Sequence, residues 1–394
     1  MTEPVQRRRP RDRRAQIERV AALEFADRGF LAASVDEIGA AVDVSGAALY
    51  RHFPSKYALF RHVIDTYTDV FCAALESAVS DADAPPRDRV DAILRSALRV
   101  SVDRRDSGSM FRWEQRFLEP ADRRRVRDRL NHALLPMRTA AAEFLAGLDA
   151  DEIELRCIGA IAVMGSVTAH RTRLAVGEIE GVLLPAAWRV LDRRADAGGL
   201  APVSHTSAAT LGTDRENTIL VHAVDLFFER GFHAVAMADV AAASAIAPSG
   251  IYRYFANKDE LLYRAFLRAG DLNAEAIAEA SAVADDPSAA LDALCAAYIG
   301  LCFSGSRLMT LYFREAGSLP ADSRRRLAAV QRRQVDDYVR LLRAVEPAVT
   351  VARARFLVHA GIAVIFDVGR SRRFTLAADF QHLTHALFTA VLRP

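Results

Sequence analysis

Cysteine is scarce in this chain, four in 394 residues (Cys72, Cys157, Cys295, Cys302), and no two stand at CxxC spacing. That scarcity excludes a disulfide-stapled scaffold and a zinc ribbon, and suits a reduced, cytoplasmic protein. Glycine and proline are sparse as well, 20 and 14 residues, so helices are favoured over a loop-rich β fold. Long apolar runs are missing too. The stretch from Cys157 to Ala169 falls short of the roughly 18–20 residues that cross a bilayer, and no apolar segment follows the N-terminal arginines. Neither a membrane span nor a signal peptide is expected. Lysine is nearly absent: Lys56 and Lys258 stand alone, and the other 50 basic residues are arginine. Catalytic signatures are lacking, with no GxSxG, P-loop or GxGxxG. His382 and His385 share a helix face but have no carboxylate or cysteine at metal-ligand spacing. No enzyme, cofactor or metal site is expected.

What is present is a chain of 51% hydrophobic and 26% charged residues, long enough for two or three packed domains. Its net charge of +2 is uneven. Residues 1–14 carry Arg7, Arg8, Arg9, Arg11, Arg13 and Arg14 against Glu3 and Asp12, a local balance of +4. A basic arm on a nearly neutral body points to a polyanion, most often nucleic acid; a solubilising tail is the alternative.

An internal repeat organises the whole chain. Phe25, Gly29, Phe30, Ala41, Tyr50, Arg51, Phe53, Lys56 and Leu59 recur 202 positions later as Phe227, Gly231, Phe232, Ala243, Tyr252, Arg253, Phe255, Lys258 and Leu261. The likeness continues faintly, with Ile161-Ala162-Val163 matching Ile362-Ala363-Val364 at an offset of 201. One module of about 200 residues has been duplicated in tandem, and the small-residue stretch between the copies reads as a linker. Within each copy, Ile17, Ala21 and Phe25, or Ile219, Ala223 and Phe227, make one apolar helical face. Gly29 and Gly231 end those helices at left-handed positions. Ser34 and Glu37 form a capping box that starts a second helix. A third short helix runs from Gly46 to about His52, and Ser55 caps a fourth beginning at Lys56. Two short helices joined by a tight turn match a helix-turn-helix.

The strings Ala48-Leu-Tyr-Arg-His-Phe-Pro-Ser-Lys-Tyr-Ala-Leu59 and Gly250-Ile-Tyr-Arg-Tyr-Phe-Ala-Asn-Lys-Asp-Glu-Leu261 resemble the lYxxFxsKxxL signature of TetR-type transcriptional repressors. The resemblance covers about 50 residues per copy, and the whole resembles the tandem double-TetR regulators of actinobacteria. It implies an all-α fold of two modules, each a three-helix head followed by a helical ligand-binding and dimerisation-type domain. The expected divisions are 1–60 (arm and first head), 61–195 (first ligand-binding-type domain), 196–213 (linker), 214–262 (second head) and 263–394 (second ligand-binding-type domain). It also implies a ligand-responsive repressor of double-stranded operator DNA, with control of lipid or sterol uptake or metabolism genes. The expected DNA-facing residues are Arg7, Arg8, Arg9, Arg11, Ser34, Ser45, Ala48, Tyr50, Arg51, His52 and Lys56 in copy one. In copy two they are Ser249, Gly250, Tyr252, Arg253, Tyr254 and Lys258. Tyr50 and Tyr252 put a hydroxyl within reach of a phosphate or base edge, and Phe53 and Phe255 pin the recognition helix. The two solitary lysines, each at a helix start, are read as phosphate ligands.

The copies depart from that pattern unequally. The usual turn glycine is Asp43 in one and Ala245 in the other, and Ser34 becomes Ala236. Residues 1–60 balance at +2, residues 213–262 at −3, so the second head is expected to bind DNA more weakly. The competing reading is a small-molecule-binding or scaffold protein with one or both heads impaired; the intact Tyr-x-x-Phe-x-x-Lys string in both copies argues against it. The segments Asp151–Arg173 with Glu178–Arg193, and Thr350–Arg370 with Leu376–Leu392, read as a four-helix bundle that makes one chain an intramolecular pseudo-dimer. A dimer of tandem chains is the alternative. Phe111, Arg112, Trp113, Glu114 and Phe117, with Tyr312, Phe313, Arg314 and Glu315, are the candidate ligand liners. They suit an amphipathic or hydrophobic effector such as a lipid, sterol derivative or acyl-CoA.

Overall fold

The structure, a computed structural model, describes residues 10–79, 83–193, 214–283 and 286–393, apart from a few side chains within them. Among the described residues every regular element is helical, and the chain divides into two compact units, Met1–Phe144 and Leu145–Pro394.

In the first unit α1 (Pro10–Ala32), α2 (Val35–Ala40) and α3 (Gly46–Leu49) form a head. They are followed by α4 (Lys56–Ser77), α5 (Pro86–Asp103), α6 (Arg105–Glu114), a 3₁₀ turn (Gln115–Phe117), α7 (Pro120–Ala133) and α8 (Leu135–Phe144). Ile17, Ala21 and Phe25 are fully buried, as their spacing requires, and they share a core with Ile38, Leu49, Phe53 and Phe60. Met110, Leu118 and Val126 from later helices complete that core. Helix α1 kinks at Gly29, where φ is 78° and ψ 160°. Gly231 in the second copy has φ 88° and ψ 141°. These values correct the expected left-handed helical stop: the pair lies in a region with extended ψ that is open essentially to glycine alone.

The second unit begins with the last two helices of copy one, α9 (Ala150–Gly165) and α10 (Val176–Asp192). It continues through α11 (Arg215–Arg230), a 3₁₀ turn (Phe232–Ala234), α12 (Met237–Ala243) and a second 3₁₀ turn (Ile251–Arg253). The remainder is α13 (Lys258–Val283), α14 (Pro287–Ser304), α15 (Ser306–Glu315), α16 (Ala321–Val345), α17 (Val351–Ser371) and α18 (Ala378–Leu392). Helices α9, α10, α17 and α18 pack together, so two helices from each copy share one core. The approach is close: a Cβ on Gly159 of α9 would lie 3.0 Å from Val190 of α10 and 3.7 Å from Val364 of α17. Arginines bind the copies across this core. The Arg189 guanidinium donates to the Ala390 and Val391 carbonyls at 2.8 and 3.1 Å, satisfying the C-terminal end of α18. Arg372 donates to Glu154 at 3.1 Å.

Helix α14 corrects the expectation about apolar runs. Pro287–Ser304 has a mean hydropathy of 1.4 and is long enough on length and composition to cross a membrane. It instead buries Leu291, Leu294, Cys295, Ile299, Cys302 and Phe303 among α13, α16 and α18. All four cysteines are free and buried. Burial pushes the Cys72 thiol up to about 11 and Cys302 up to about 12, so neither supplies a thiolate at neutral pH.

Candidate nucleic-acid interface

Each head carries its recognition segment on a short frame of backbone caps. In copy one the Ser34 hydroxyl accepts from the Glu37 N–H at 3.4 Å and starts α2, and Ser45 accepts from the Ala48 N–H at 3.1 Å and starts α3. Glu37 does not complete the expected capping box; it binds Arg28 at 2.5 Å instead. Copy two keeps the opposite half. Ala236 has no hydroxyl, but its N–H donates to the Asp239 carboxylate at 2.8 Å. Each head therefore forms a different half of the box.

The turn between the paired helices is left-handed in both heads, with φ 56° at Asp43 and 52° at Ala245. These are the two positions where the resemblance led one to expect glycine. A further pair, also 202 residues apart, holds that turn: Arg13 donates to the Val42 carbonyl, and Arg215 to the Ala245 carbonyl at 3.0 Å. The sequence does not single it out, because Arg13 is one of six arginines between residues 7 and 14. Arg14 lies over the Phe53 ring at 4.9 Å. The expected arm of residues 1–14 is corrected accordingly: α1 begins at Pro10, and Arg13 and Arg14 belong to the head. Arg7, Arg8 and Arg9, and the side chain of Arg11, lie outside the described residues.

The recognition segments differ in winding. Copy one forms the α-helix α3, whereas copy two turns through Pro248–Gly250 and forms only the 3₁₀ turn Ile251–Arg253. Two substitutions account for this. Ala247 cannot cap as Ser45 does, and Gly250 replaces Ala48 with the poorer helix former. Both segments nevertheless present the same residues. Phe53 and Phe255 are buried, while Tyr50 is 48% and Tyr252 58% exposed. Arg51 and Arg253 are exposed, as are Ser45, Ser249 and Tyr254; Ser34, Ala48, His52 and Gly250 are partly buried.

Lys56 and Lys258, expected at phosphate, are partly buried and each bonds a main-chain carbonyl of its own head. Lys56 Nζ donates to the Leu31 carbonyl at 3.0 Å and sits 5.1 Å from the centre of the Phe30 ring. Lys258 Nζ donates to the Phe232 and His233 carbonyls at 2.9 and 3.3 Å, 4.9 Å from the Phe232 ring centre. Leu31 and His233 are equivalent positions, so both heads use one clamp. The ammonium caps carbonyls left open where the glycine breaks the helix, and the aromatic face adds attraction. Partial burial lowers the Lys56 pKa.

The expected ligand liners also pack on the heads. Glu114 is buried and accepts from the Phe30 N–H at 2.6 Å, bracing the chain just after Gly29. Phe117 lies 5.5 Å from Phe30 and Phe111 5.1 Å from Tyr67. Tyr312 lies 5.1 Å from Phe266 and accepts from Gln331, and Glu315 is buried at the position matching Glu114. The side chains of Trp113 and Phe313 are outside the described residues. In copy one α4 is latched to α7: the Tyr57 hydroxyl donates to Asp122 at 2.6 Å and accepts from the Glu119 N–H at 2.9 Å. Burial, with that carboxylate second, pushes Tyr57 up to about 12.

Two helix-turn-helix heads with anchored phenylalanines and exposed Tyr-Arg pairs have the geometry of a nucleic-acid interface. Both match the model of the tetR family of bacterial regulatory proteins, at residues 17–63 and 219–265. The chain thus carries two TetR-type heads in tandem. It is 40% identical over 73 residues to the HTH-type transcriptional activator FasR of Mycolicibacterium smegmatis, over 18% of this chain and 33% of that protein. The match thus spans about a third of the relative's length. A TetR-family transcriptional regulator from Bordetella parapertussis aligns over 46% of this chain and 93% of its own, with a TM-score of 0.40 and 19% identity. AibR, in a structure with isovaleryl coenzyme A and operator DNA, aligns over 40% and 97%, with a TM-score of 0.32 and 21% identity.

Proposed function

We propose that one chain acts as a pseudo-dimer, setting two non-identical heads on an imperfectly symmetric operator and releasing or rearranging them when a small amphipathic or hydrophobic effector binds. The modules are 1–195 and 214–394, each with its head at the N-terminal end (1–60 and 214–262), joined by the linker 196–213. The carrying observation is the exposed Tyr50-Arg51 and Tyr252-Arg253 pairs at one repeat position of both heads, each held over a buried phenylalanine. The tyrosine hydroxyls and guanidiniums serve phosphate and one shared base contact, while His52 and Tyr254 read different bases. The first head dominates affinity, supported by its capped α3 and its positive balance. The resemblance implies repression of lipid or sterol uptake genes, whereas FasR is named an activator. A reporter fused to the upstream DNA reads the direction of control. A gel shift with that DNA tests the proposal: Tyr50→Phe with Arg51→Ala abolishes a specific shift. A protein that shifts no DNA, or shifts all sequences alike, contradicts it.

A further inference from the structure

The duplication allows each buried position of one copy to be compared with its twin. Helices α4 and α13 start at Lys56 and Lys258, α5 and α14 at Pro86 and Pro287. Helices α7 and α16 start one residue after the equivalent positions Glu119 and Pro320. On these registers Phe71, Ala97 and Met137 of copy one correspond to Asn273, Tyr298 and Tyr338 of copy two. The first three are buried and apolar. Their twins all carry hydrogen-bonding groups.

Those groups are enclosed and two are unanswered. Asn273 is 3% exposed, with neither amide atom partnered, and Tyr338 is 1% exposed with a free hydroxyl. Tyr298 pairs with the Cys302 thiol. The three converge. Helices α13 and α16 both leave the core of the second head, which holds Leu262 and Phe266 of one and Leu327 of the other. They touch where Gln334 donates to the Gly270 carbonyl at 3.1 Å. Asn273 and Tyr338 each lie about one turn beyond that contact, and the Tyr338 and Tyr298 rings are 5.9 Å apart. Phe388 of α18 closes the group, 6.2 Å from Tyr338 and 6.4 Å from Tyr298. Tyr298 sits among Leu291, Leu294, Cys295 and Cys302, none more than 1% exposed, yet keeps accessible surface of its own.

We infer that the second module, between α13, α14, α16 and α18, holds a site for an uncharged, largely apolar molecule bearing a carbonyl or hydroxyl, which Asn273 and Tyr338 bind and the Tyr298 and Phe388 rings enclose. An apolar body occupies the volume that Asn273 leaves where Phe71 stands in copy one, and one polar atom answers the amide and phenol that burial leaves unsatisfied. The charge of the ligand follows from its surroundings. Asn, Tyr and Cys line the space, and burial keeps the Tyr298, Tyr338 and Cys302 protons in place at neutral pH. Asp292, nearer the start of α14, is already paired with Arg393, and burial lowers the pKa of His385 on α18, which stays uncharged at neutral pH. A carboxylate or phosphate would enter without a counter-charge.

This rests on the ligand-responsive reading above, and the test separates the two. Calorimetry on the full chain compares two uncharged ketones, 2-undecanone and camphor, with undecanoate. At least one ketone is expected to bind, undecanoate at least tenfold more weakly. Asn273→Leu and Tyr338→Phe should each weaken ketone binding about tenfold while leaving the ligand-free protein as heat-stable as before or more so. No heat from either ketone, undecanoate bound as tightly as the ketones, or ketone affinity unmoved in both variants overturns the site. So does a loss of ligand-free stability in both variants, since the groups would then be partnered parts of the packing. Operator binding by the same ligand-free samples reads the regulator proposal independently, because the heads contribute no residue to this space.

Discussion

At the scale of single residues, Ala245 is held at a backbone conformation that alanine disfavours by about 1–2 kcal/mol, with φ 52°. Replacing it with glycine relieves that strain but frees the unfolded chain, so Ala245→Gly should stabilise the second head by roughly 0.5–1 kcal/mol. Asp43→Gly should do less, because Asp tolerates left-handed φ. Urea titration with a probe in each head checks this, and a destabilised Ala245→Gly would contradict the observed turn. The lysine clamp makes a second residue-scale prediction. Lys56→Met and Lys258→Met should each cost about 1 kcal/mol, the ordinary worth of one hydrogen bond. Arginine should rescue only partly, since its longer, planar guanidinium must fit where a compact ammonium sits between ring and carbonyl. If the lysines only touched DNA, the substitutions would leave denaturation unchanged.

At the scale of elements, the basic arm separates into parts with different work. Deleting residues 1–9 should leave stability untouched while flattening the log–log salt dependence of DNA binding, by roughly 0.9 for each phosphate those arginines neutralise. Extending the deletion through Arg14 should also lower head stability, because Arg13 holds the Val42 carbonyl and Arg14 covers Phe53. An unchanged salt slope in the shorter deletion would make the arm a mere tail. Helix starts were readable in advance at the capping hydroxyls of Ser34 and Ser55, because caps act over three residues of sequence. The bundle helices were readable from their apolar faces. Directions across the chain were not. Spacing locates Lys56 at a helix start but says nothing about where Leu31 lies, so the bond to its carbonyl was not legible. The 3₁₀ winding of Ile251–Arg253 also escaped, since a shared Tyr-x-x-Phe string masks the lost cap at Ala247. The polar trio of Asn273, Tyr298 and Tyr338 lies on three helices and becomes visible only when the copies are overlaid.

At the scale of the whole molecule, the packing of α9 and α10 on α17 and α18 joins the two copies within one chain. The Arg189 and Arg372 contacts across that core have no identical twins, as a bundle between two unlike halves requires. On the pseudo-dimer proposal such an interface favours its own chain's halves over a second copy, since one covalent chain keeps them at high effective concentration. The measurement that bears most directly on the account is footprinting of the operator combined with the mass of the complex. One chain per operator is predicted, covering two unlike half-sites about one helical turn of DNA apart or a multiple of it. Replacing Tyr50 and Arg51 should then cost more affinity than replacing Tyr252 and Arg253. Two chains on a perfect palindrome, with equal losses from both pairs of replacements, would contradict it.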